Sequence, residues 1–312
     1  MTYLNNLTQI IKYPLVYYIG LFAYCFLFIS LYSKYSDKEN KLVDIGNNIN
    51  KLLSLGGDYV GKKSDITNYI EQFFVGLLEG DGTITVDYLS DHKKRVRIFI
   101  ALKNLEDNRF MLNLIEDYIG GRVVIERNNR YVTWYATNRI DLAKVLGILE
   151  KYPLLSTRKQ CQLDFAKYFI NSTKVMSKEE FHRLRDDKYQ NQKAMLDSYD
   201  KNFSLTSYFP GWLSGFIESE GHFKLVKAAN NTINSSQFII GQNNEKHLLK
   251  AILTYFNKED KKISTILSKN GVIYYKIHMS GRDSRSLLAT HFNSYPLLGD
   301  KRTKYQEWVN KH

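Results

Sequence analysis

Two short motifs in this chain place a carboxylate directly after an apolar helical pattern. Phe73 to Thr83 reads FFVGLLEGDGT and Trp212 to Phe223 reads WLSGFIESEGHF, so Asp81 and Glu220 stand at matching places. A carboxylate is disfavoured at the C-terminal end of a helix, because the helix dipole already puts negative partial charge there. Mg²⁺ compensates such charge, since it takes carboxylate oxygens together with water and substrate phosphate. The pair predicts a shared divalent-metal site, whereas either motif alone is also typical of a plain turn.

Small residues in both motifs would bring the two carboxylates together. Gly76 and Gly80 are four positions apart, as are Gly215 and Ser219, so each helix presents small side chains on one face. Such a stripe lets two helix backbones approach closely. We therefore expect the two helices to pack side by side, with the acids next to each other at their ends.

The two motifs belong to an internal repeat. FIALKN at Phe99 to Asn104 matches FIIGQN at Phe238 to Asn243 with an offset of 139 (242 − 103), which is also the offset between the two acids (220 − 81). EKYPLL ending at Leu155 matches NSYPLL ending at Leu298 with an offset of 143 (298 − 155). Matches that stay in register are typical of a duplicated unit.

Hydrophobic periodicity and turn residues predict the same order in both copies, αββαββα with a second helix that closes the unit. In the first copy the predicted elements are a helix over about 68–80, strands Thr83 to Tyr88 and Lys94 to Lys103, a helix from Leu105 to Tyr118, a hairpin of Arg122 to Arg127 and Tyr131 to Thr137, and helices near 139–150 and 156–170. In the second copy they are a helix over 208–219, strands over 222–229 and 236–242, a helix over 244–257, strands near 262–268 and 272–279, and helices near 281–292 and 300–311.

The predicted domains are an N-terminal segment over 1–65, a first repeat over 66–170, a charged, solvated linker over 171–207 and a second repeat over 208–312. The run from Pro14 to Tyr32 has no charge, and a bilayer span takes about 20 apolar residues. Membrane association through this run is one interpretation. A buried helix, or a leader that is removed, is the other.

The amino-acid composition limits the classes of molecule that this chain could bind. The formal net charge of +12 indicates a polyanion, either nucleic acid or an anionic membrane surface. Cys25 and Cys161 are too few for a disulfide framework or a four-ligand zinc site, so the 312-residue fold must depend on packing. The abundance of Tyr, Lys, Asn and Ile suggests AT-rich coding, as in an organelle.

Basic and polar side chains alternate with apolar ones on two predicted strands. Arg95 and Arg97 do so in the first copy, and Tyr274, Lys276 and His278 do so in the second. A β-sheet with such a face can lie in the major groove of DNA and read base edges. These five residues are the predicted DNA contacts. An amphipathic sheet with a solvated face is the alternative.

The segments FVGLLEGDG (Phe74 to Gly82) and LSGFIESEG (Leu213 to Gly221) resemble the signature of the LAGLIDADG homing endonucleases and intron maturases, in their single-chain, two-repeat form. The resemblance covers about 68–170 and 208–312 and leaves out 1–65. It implies an α+β fold of two pseudo-symmetric αββαββα repeats that form a saddle of antiparallel sheets, here preceded by an N-terminal hydrophobic helix. Glu79 replaces the inner Asp of the signature and Glu220 the outer one, and both keep a carboxylate.

The resemblance implies that Asp81 and Glu220 bind Mg²⁺ or another divalent cation, helped by the backbone carbonyls of Gly80 and Ser219. It also implies a polar residue on each second strand, near the attacking water, and a basic residue after each PLL, facing the scissile phosphate. These catalytic residues are Lys103 and Gln242 for the polar pair, and Arg158 and Lys301 for the basic pair. The family more often has Lys at the last place, and surface roles are the alternative for all four.

The implied function is a site-specific, divalent-metal-dependent endonuclease that acts as a monomer. It would make a double-strand break at a long asymmetric DNA target and so promote intron homing, in a mitochondrion. The alternative is an intron-encoded RNA maturase that assists group I intron splicing, alone or in addition. Paired carboxylates favour cleavage, because a pure maturase has no use for them. A membrane-anchored interaction protein would leave the duplicated acids unexplained.

Overall fold

The computed structural model describes residues 63–89, 92–172, 175–227, 233–269 and 271–310. The predicted N-terminal hydrophobic helix and the apolar run from Pro14 to Tyr32 lie outside these ranges. Within them, no helix combines the length and the apolar content that a membrane crossing requires.

The first repeat follows the predicted order. Its elements are α1 (Lys63–Gly80), β1 (Gly82–Tyr88), β2 (Lys94–Lys103), α2 (Glu106–Ile119), β3 (Arg122–Glu126), β4 (Tyr131–Ala136), α3 (Arg139–Lys151) and α4 (Thr157–Asn171). Two helices, α5 (Lys178–Asp187) and α6 (Gln192–Asn202), lie between the repeats. The second repeat contains α7 (Phe209–Glu220), β5 (His222–Lys227), β6 (Ile233–Asn243), α8 (Lys246–Tyr255), β7 (Ser264–Leu267), β8 (Ile273–Ser280), α9 (Gly281–Ser294) and α10 (Asp300–Asn310).

Each repeat forms one antiparallel four-stranded sheet. The strand order is β1-β2-β4-β3 in the first sheet and β5-β6-β8-β7 in the second. Alternation explains one buried face: Val96, Ile98 and Ile100 on β2 are buried, while Arg95 next to them is exposed. The β3–β4 hairpin turns through Arg127, whose φ is 54°, and two asparagines that also adopt positive φ. The predicted α+β class with two antiparallel sheets is confirmed.

The core lies where α1 and α7 pack against each other at the centre of the molecule. Phe73, Phe74 and Leu77 of α1 are fully buried, as are Trp212 and Phe216 of α7. Both repeats fall within one compact unit. The ends of α1 and α7 lie side by side, where Gly80 meets Ser219, and each helix leads directly into the first strand of its own sheet.

The segment between the repeats is not solvated throughout, and this part of the linker prediction is wrong. Met176 and Phe181 are 3% and 2% exposed. The Phe181 ring packs against Phe165 and Phe169 of α4 and against Tyr88 of β1. Apolar residues spaced within a charged run thus dock the segment on the first repeat.

Candidate active site at the helix ends

The contact between α1 and α7 leaves no room for side chains at the predicted small residues. A Cβ added to Gly76 would overlap the carbonyl oxygen of Trp212, and one added to Gly215 would overlap that of Phe73. One turn further on, a Cβ added to Gly80 would overlap the side chain of Ser219. The structure thus places all four predicted small residues where the helix backbones meet.

This close approach brings the two acids together. Asp81 directly follows α1 and its N–H donates to the carbonyl of Leu77 (3.0 Å), whereas Glu220 is the last residue of α7. Solvent reaches Asp81, yet the surrounding protein desolvates its carboxylate and raises its pKa, against the charges of Lys301 and Lys159. Burial also raises the pKa of Glu220, and the neighbouring charge of Asp81 raises it further. Two mutually repelling carboxylates are thereby held at one place.

Lys301 reaches this place from α10. Its Nζ donates to the backbone carbonyls of Ser219 (3.0 Å) and Gly221 (2.6 Å). In the first repeat the corresponding contact is made by Lys159, whose Nζ donates to the carbonyl of Gly82. Gly82 and Gly221 occupy matching positions (221 − 82 = 139), so Lys159 is the structural counterpart of Lys301.

The contact with Gly82 favours Lys159, one residue further on, over the predicted Arg158 as that counterpart. The first copy reads YPLLSTRK where the second reads YPLLGDK, so one extra residue follows PLL in the first copy. The Arg158 guanidinium lies 6.0 Å from the ring centroid of Tyr189. Arg158 still lines a cavity of about 400 Å³ beside Glu220, together with Lys159, Gln162 and Gln242.

The two lysines are half-buried, and the protein around them desolvates their ammonium groups. Burial lowers the pKa of Lys159 to about 8, although the charges of Glu79, Asp81 and Glu220 oppose this shift. Burial lowers the pKa of Lys301 as well, with Glu218 opposing it most. A cation held in this way has little water around it, so its field acts strongly on a nearby anion.

The two predicted polar residues, Gln242 and Lys103, differ in whether they contact the carboxylate of their own repeat. Gln242, at the end of β6, donates from Nε2 to Glu220 at 3.4 Å. Lys103, at the matching place on β2, is exposed, and its ammonium group makes no hydrogen bond or ion pair within the described ranges. Only the second repeat therefore joins this residue to its carboxylate.

The inner acids of the motifs hold the helices that carry the lysines, a role that the sequence did not reveal. Buried Glu79 accepts hydrogen bonds from the N–H groups of Leu155 (2.6 Å) and Ser156 (2.5 Å), just before α4. Buried Glu218 accepts from the N–H groups of Gly299 (3.1 Å) and Lys301 (2.8 Å) at the start of α10. A carboxylate at a helix N-terminus satisfies free N–H groups and complements the dipole.

The predicted DNA contacts on β2 lie on the outward face but are held by an acid. Arg95 approaches Asp87 of β1 at 3.2 Å, and Nε of Arg97 approaches the same carboxylate at 2.6 Å. Asp87 pairs with Arg95 across the strands. Asp87 is not among the predicted contacts, although its place in the alternation of β1 was an available signal.

The predicted contacts on β8 differ in position. Lys276 and His278 alternate with the buried Ile277 and Met279 and so share the outward face of the second sheet. Tyr274 lies over Gly241 at the other end of the strand. Burial raises the pKa of Tyr274, and the charge of Glu220 adds to this, so Tyr274 lies at the edge of the carboxylate site.

The donor atoms fit a hard divalent cation. The described ranges contain no group of three or more His, Cys, Asp or Glu side chains arranged to hold a metal. What Asp81, Glu220 and the adjacent carbonyl of Gly80 offer is oxygen alone, and Mg²⁺ binds through one or two carboxylates while it keeps waters and substrate phosphates. The carbonyl of Ser219 already accepts from Lys301.

Residues 74–169 and 213–312 match the LAGLIDADG endonuclease family. The chain therefore belongs to the LAGLIDADG endonuclease family. It is 33% identical to a probable intron-encoded endonuclease aI3 of Dictyostelium citrinum, over 80% of this chain and 98% of that protein. It is 27% identical to a probable intron-encoded endonuclease aI3 of Debaryomyces hansenii, over 94% of this chain, and it spans 45% of that protein's length.

Solved structures share the fold. The LAGLIDADG homing endonuclease I-GzeII in complex with its DNA target has a TM-score of 0.57 at 17% identity and covers 76% of this chain and 88% of its own. I-LtrWI bound to target DNA has a TM-score of 0.57 at 16% identity and covers 78% and 89%. These likenesses show the two-repeat architecture, and the site assignments depend on the contacts described above.

Proposed function

We propose that this chain is a site-specific DNA endonuclease that depends on a divalent cation and makes a double-strand break. The observation that carries the proposal is the pairing of Asp81 and Glu220 at the ends of two packed helices, with the half-buried Lys159 and Lys301 beside them. One acid and one lysine from each repeat provide two sets of groups for two DNA strands. A relative in Saccharomyces cerevisiae, 24% identical over 76% of this chain and 61% of that protein, carries the name intron-encoded DNA endonuclease aI3.

The cation would be held by Asp81 and Glu220, with Mg²⁺ as the proposed ion. When bound, it would polarise the scissile phosphate and make a bound water more acidic. A structurally similar endonuclease, I-SmaMI, was solved bound to uncleaved DNA with calcium ions, at a TM-score of 0.52 and 15% identity. Burial raises the pKa of both carboxyl groups, and the charge of Asp81 raises that of Glu220 further, so a bound cation would offset the cost of keeping both groups ionised.

The side chains of this protein supply the remaining chemistry. Lys159 and Lys301 offset the negative charge that builds on the phosphate in the transition state. Gln242, which already contacts Glu220, orients the attacking water from the second repeat. Lys103 takes the equivalent place in the first repeat, where a cation replaces an amide.

The outward sheet faces bind the DNA duplex in this proposal, and the charge of the whole chain, +12, attracts it. The two faces differ: Arg95 and Arg97 are held by Asp87 on the first, whereas Lys276 and His278 are exposed in part on the second. Faces with different side chains read different base sequences, so the proposed target is long and asymmetric and one chain is enough to bind it.

Intron homing in a mitochondrion is the proposed context, because the relatives named above are intron-encoded endonucleases of fungi and slime moulds. We also propose the division into a segment over 1–65, repeats over 66–170 and 208–312, and a linker over 171–207. The paired carboxylates favour cleavage over the RNA maturase alternative.

The test uses DNA of the intron-less allele and of the intron-containing allele, with Mg²⁺ or with EDTA. The natural protein should cut only the intron-less DNA, and only with Mg²⁺. Asp81→Asn and Glu220→Gln should stop cutting while the Kd for the site, measured by electrophoretic mobility shift, stays within about threefold, because binding depends on the sheets. Full cutting by Asp81→Asn would remove the proposed active site.

A further inference from the structure

The N-terminus of α4 is held by a second carboxylate, and this one comes from the other repeat. Glu245 lies between β6 and α8 and is 2% exposed. It accepts hydrogen bonds from the N–H of Thr157 (3.1 Å), the hydroxyl of Thr157 (2.7 Å) and the N–H of Arg158 (3.0 Å). These are the first two residues of α4, and Lys159 is the third.

A buried histidine completes this contact. Nε2 of His247 lies 3.0 Å from the carbonyl of Leu155, and Nδ1 lies 3.7 Å from Glu245. Because a carbonyl only accepts, Nε2 is the protonated nitrogen. Two side chains of the second repeat therefore hold the segment that leads into α4.

The reverse contact starts from α2 of the first repeat. Oδ1 of Asn108 accepts from the N–H of Asp300 (3.1 Å), and Nδ2 of Asn108 donates to the carbonyl of Lys103 (3.0 Å). The neighbouring Asp107 accepts from Arg302 (2.8 Å) and from the hydroxyl of Thr303 (2.8 Å). These contacts hold the first turn of α10, which carries Lys301.

The two contacts are related by the internal repeat. Asn108 and His247 lie 139 positions apart (247 − 108), the offset of the acids themselves. Each lysine lies in the first turn of its helix, so a small rotation of that helix displaces the ammonium group of the lysine. The inner acids Glu79 and Glu218 hold these helices from one side, and the residues of the opposite repeat hold them from another.

We propose that each repeat positions the active-site lysine of the other: Glu245, supported by His247, sets Lys159, while Asn108 and Asp107 set Lys301. This inference rests on the proposed function only in calling the lysines active-site groups. It makes each active site a joint product of both repeats, although its acid and its lysine come from one. Glu245 and Asn108 are positioning residues, because they act on the reaction through the helix that each holds.

The experiment measures the nicking rate of each DNA strand separately, with either strand end-labelled. Lys159→Ala and Lys301→Ala identify the strand that depends on each lysine. Glu245→Ala should slow the Lys159-dependent strand about 10-fold or more, since a displacement of about 1 Å can cost ~100-fold, and change the other strand less than about twofold. Asn108→Ala should do the opposite. Glu245→Gln, which keeps an acceptor oxygen, should recover most of the rate.

A general loss of stability would slow both strands together, and that result overturns the proposal, as does slowing of the wrong strand. Amide hydrogen exchange gives a second measurement that needs no cleavage. Glu245→Ala should speed exchange at Thr157 and Arg158 but not at Asp300, and Asn108→Ala should do the reverse. If the natural protein cuts no DNA, the proposed function fails. Unchanged amide exchange in both variants would instead overturn the proposal that each repeat holds a helix of the other.

Discussion

Gly215→Ala tests whether the close packing of α1 and α7 is what holds the two carboxylates together. The added Cβ would overlap the carbonyl oxygen of Phe73 and lie 2.8 Å from the amide nitrogen of Leu77. The added Cβ would lie 1.8 Å from the Phe73 oxygen and ordinary contact begins at 3.4 Å, so these two atoms must move apart by 1.6 Å (3.4 − 1.8). Both clashing groups are backbone atoms of α1 and cannot rotate away. Overpacking of this kind costs about 1–3 kcal/mol, and we expect a value in the upper half of that range.

Gly147→Ala is the matched control. Gly147 also lies inside a helix, α3, but a Cβ added there meets no atom within 4 Å. Alanine is favoured over glycine in helices by roughly 1 kcal/mol, so this variant should be slightly more stable than the natural protein. The free energy of unfolding, measured by urea titration, should therefore move in opposite directions in the two variants.

Cleavage is measured at a temperature where circular dichroism shows that Gly215→Ala is folded. Separating the helices changes the distance between Asp81 and Glu220, and errors of about 1 Å at a reaction centre cost ~100-fold, so we expect cutting to slow at least 10-fold. DNA affinity should change little, because the sheets are untouched. Normal stability together with normal cutting in Gly215→Ala would refute the packing argument.

Two further predictions concern charge. The kcat/KM for the Lys159-dependent DNA strand should fall as pH rises past 8, because the pKa of Lys159 is lowered to about 8, and Lys159→Arg should move that fall to higher pH. Unfolding does not explain such a loss: the ordinary Lys pKa is 10.5, so the lowered pKa in the folded protein makes folding more favourable as pH rises through this range. Asp87→Asn should release Arg95 and Arg97 and steepen the dependence of log Kd on log salt by about 1 for each further phosphate that these arginines bind. The control Asp186→Asn breaks the exposed ion pair with Arg185 (3.2 Å) and should leave the slope unchanged. Equal slopes in both variants would contradict a role for Asp87.

The order of helices and strands could be predicted because each element carries its own periodic signal. Strand β2 runs over the predicted Lys94 to Lys103, since basic and apolar residues alternate in its first half and an unbroken apolar run, Ile98 to Leu102, fills most of the rest. Helix α1 was expected from about residue 68 but starts at Lys63, because the polar residues of its first turn carry no apolar period. Local patterns therefore located the elements but missed the first turn of α1.

The active-site acids could be predicted from the repeat, whereas one of the lysines could not. Counting three residues on from PLL gives Lys301 in the second copy but Arg158 in the first, because the first copy has one extra residue in this segment. Only the contact with Gly82, which matches the contact of Lys301 with Gly221, identifies Lys159. A helix turns by about 100° per residue, so an error of one position points to a different side of the helix.

Alternation on β2 predicted the outward face but not the charge that the face presents. Arg95 and Arg97 look free in the sequence, yet Asp87 on the neighbouring strand approaches both. Strand pairing decides which side chains meet, and the register of β1 on β2 is set by the turn between them. Binding faces read from a single strand therefore overestimate the available positive charge.

The contacts between the repeats show what comparing the two copies of the sequence can and cannot find. Glu79 and Glu218 hold their helices with the same side chain at matching positions (218 − 79 = 139), so self-comparison pairs the two residues, although it does not show what they bind. The contacts from the opposite repeat use different residue types in the two copies. Glu245 with His247 holds α4, and Asn108 with Asp107 holds α10. What both copies keep is a hydrogen-bond acceptor facing the first N–H groups of a helix. Because acid and amide oxygens satisfy an N–H equally in geometry, the two repeats can differ in residue type while each still holds the lysine of the other.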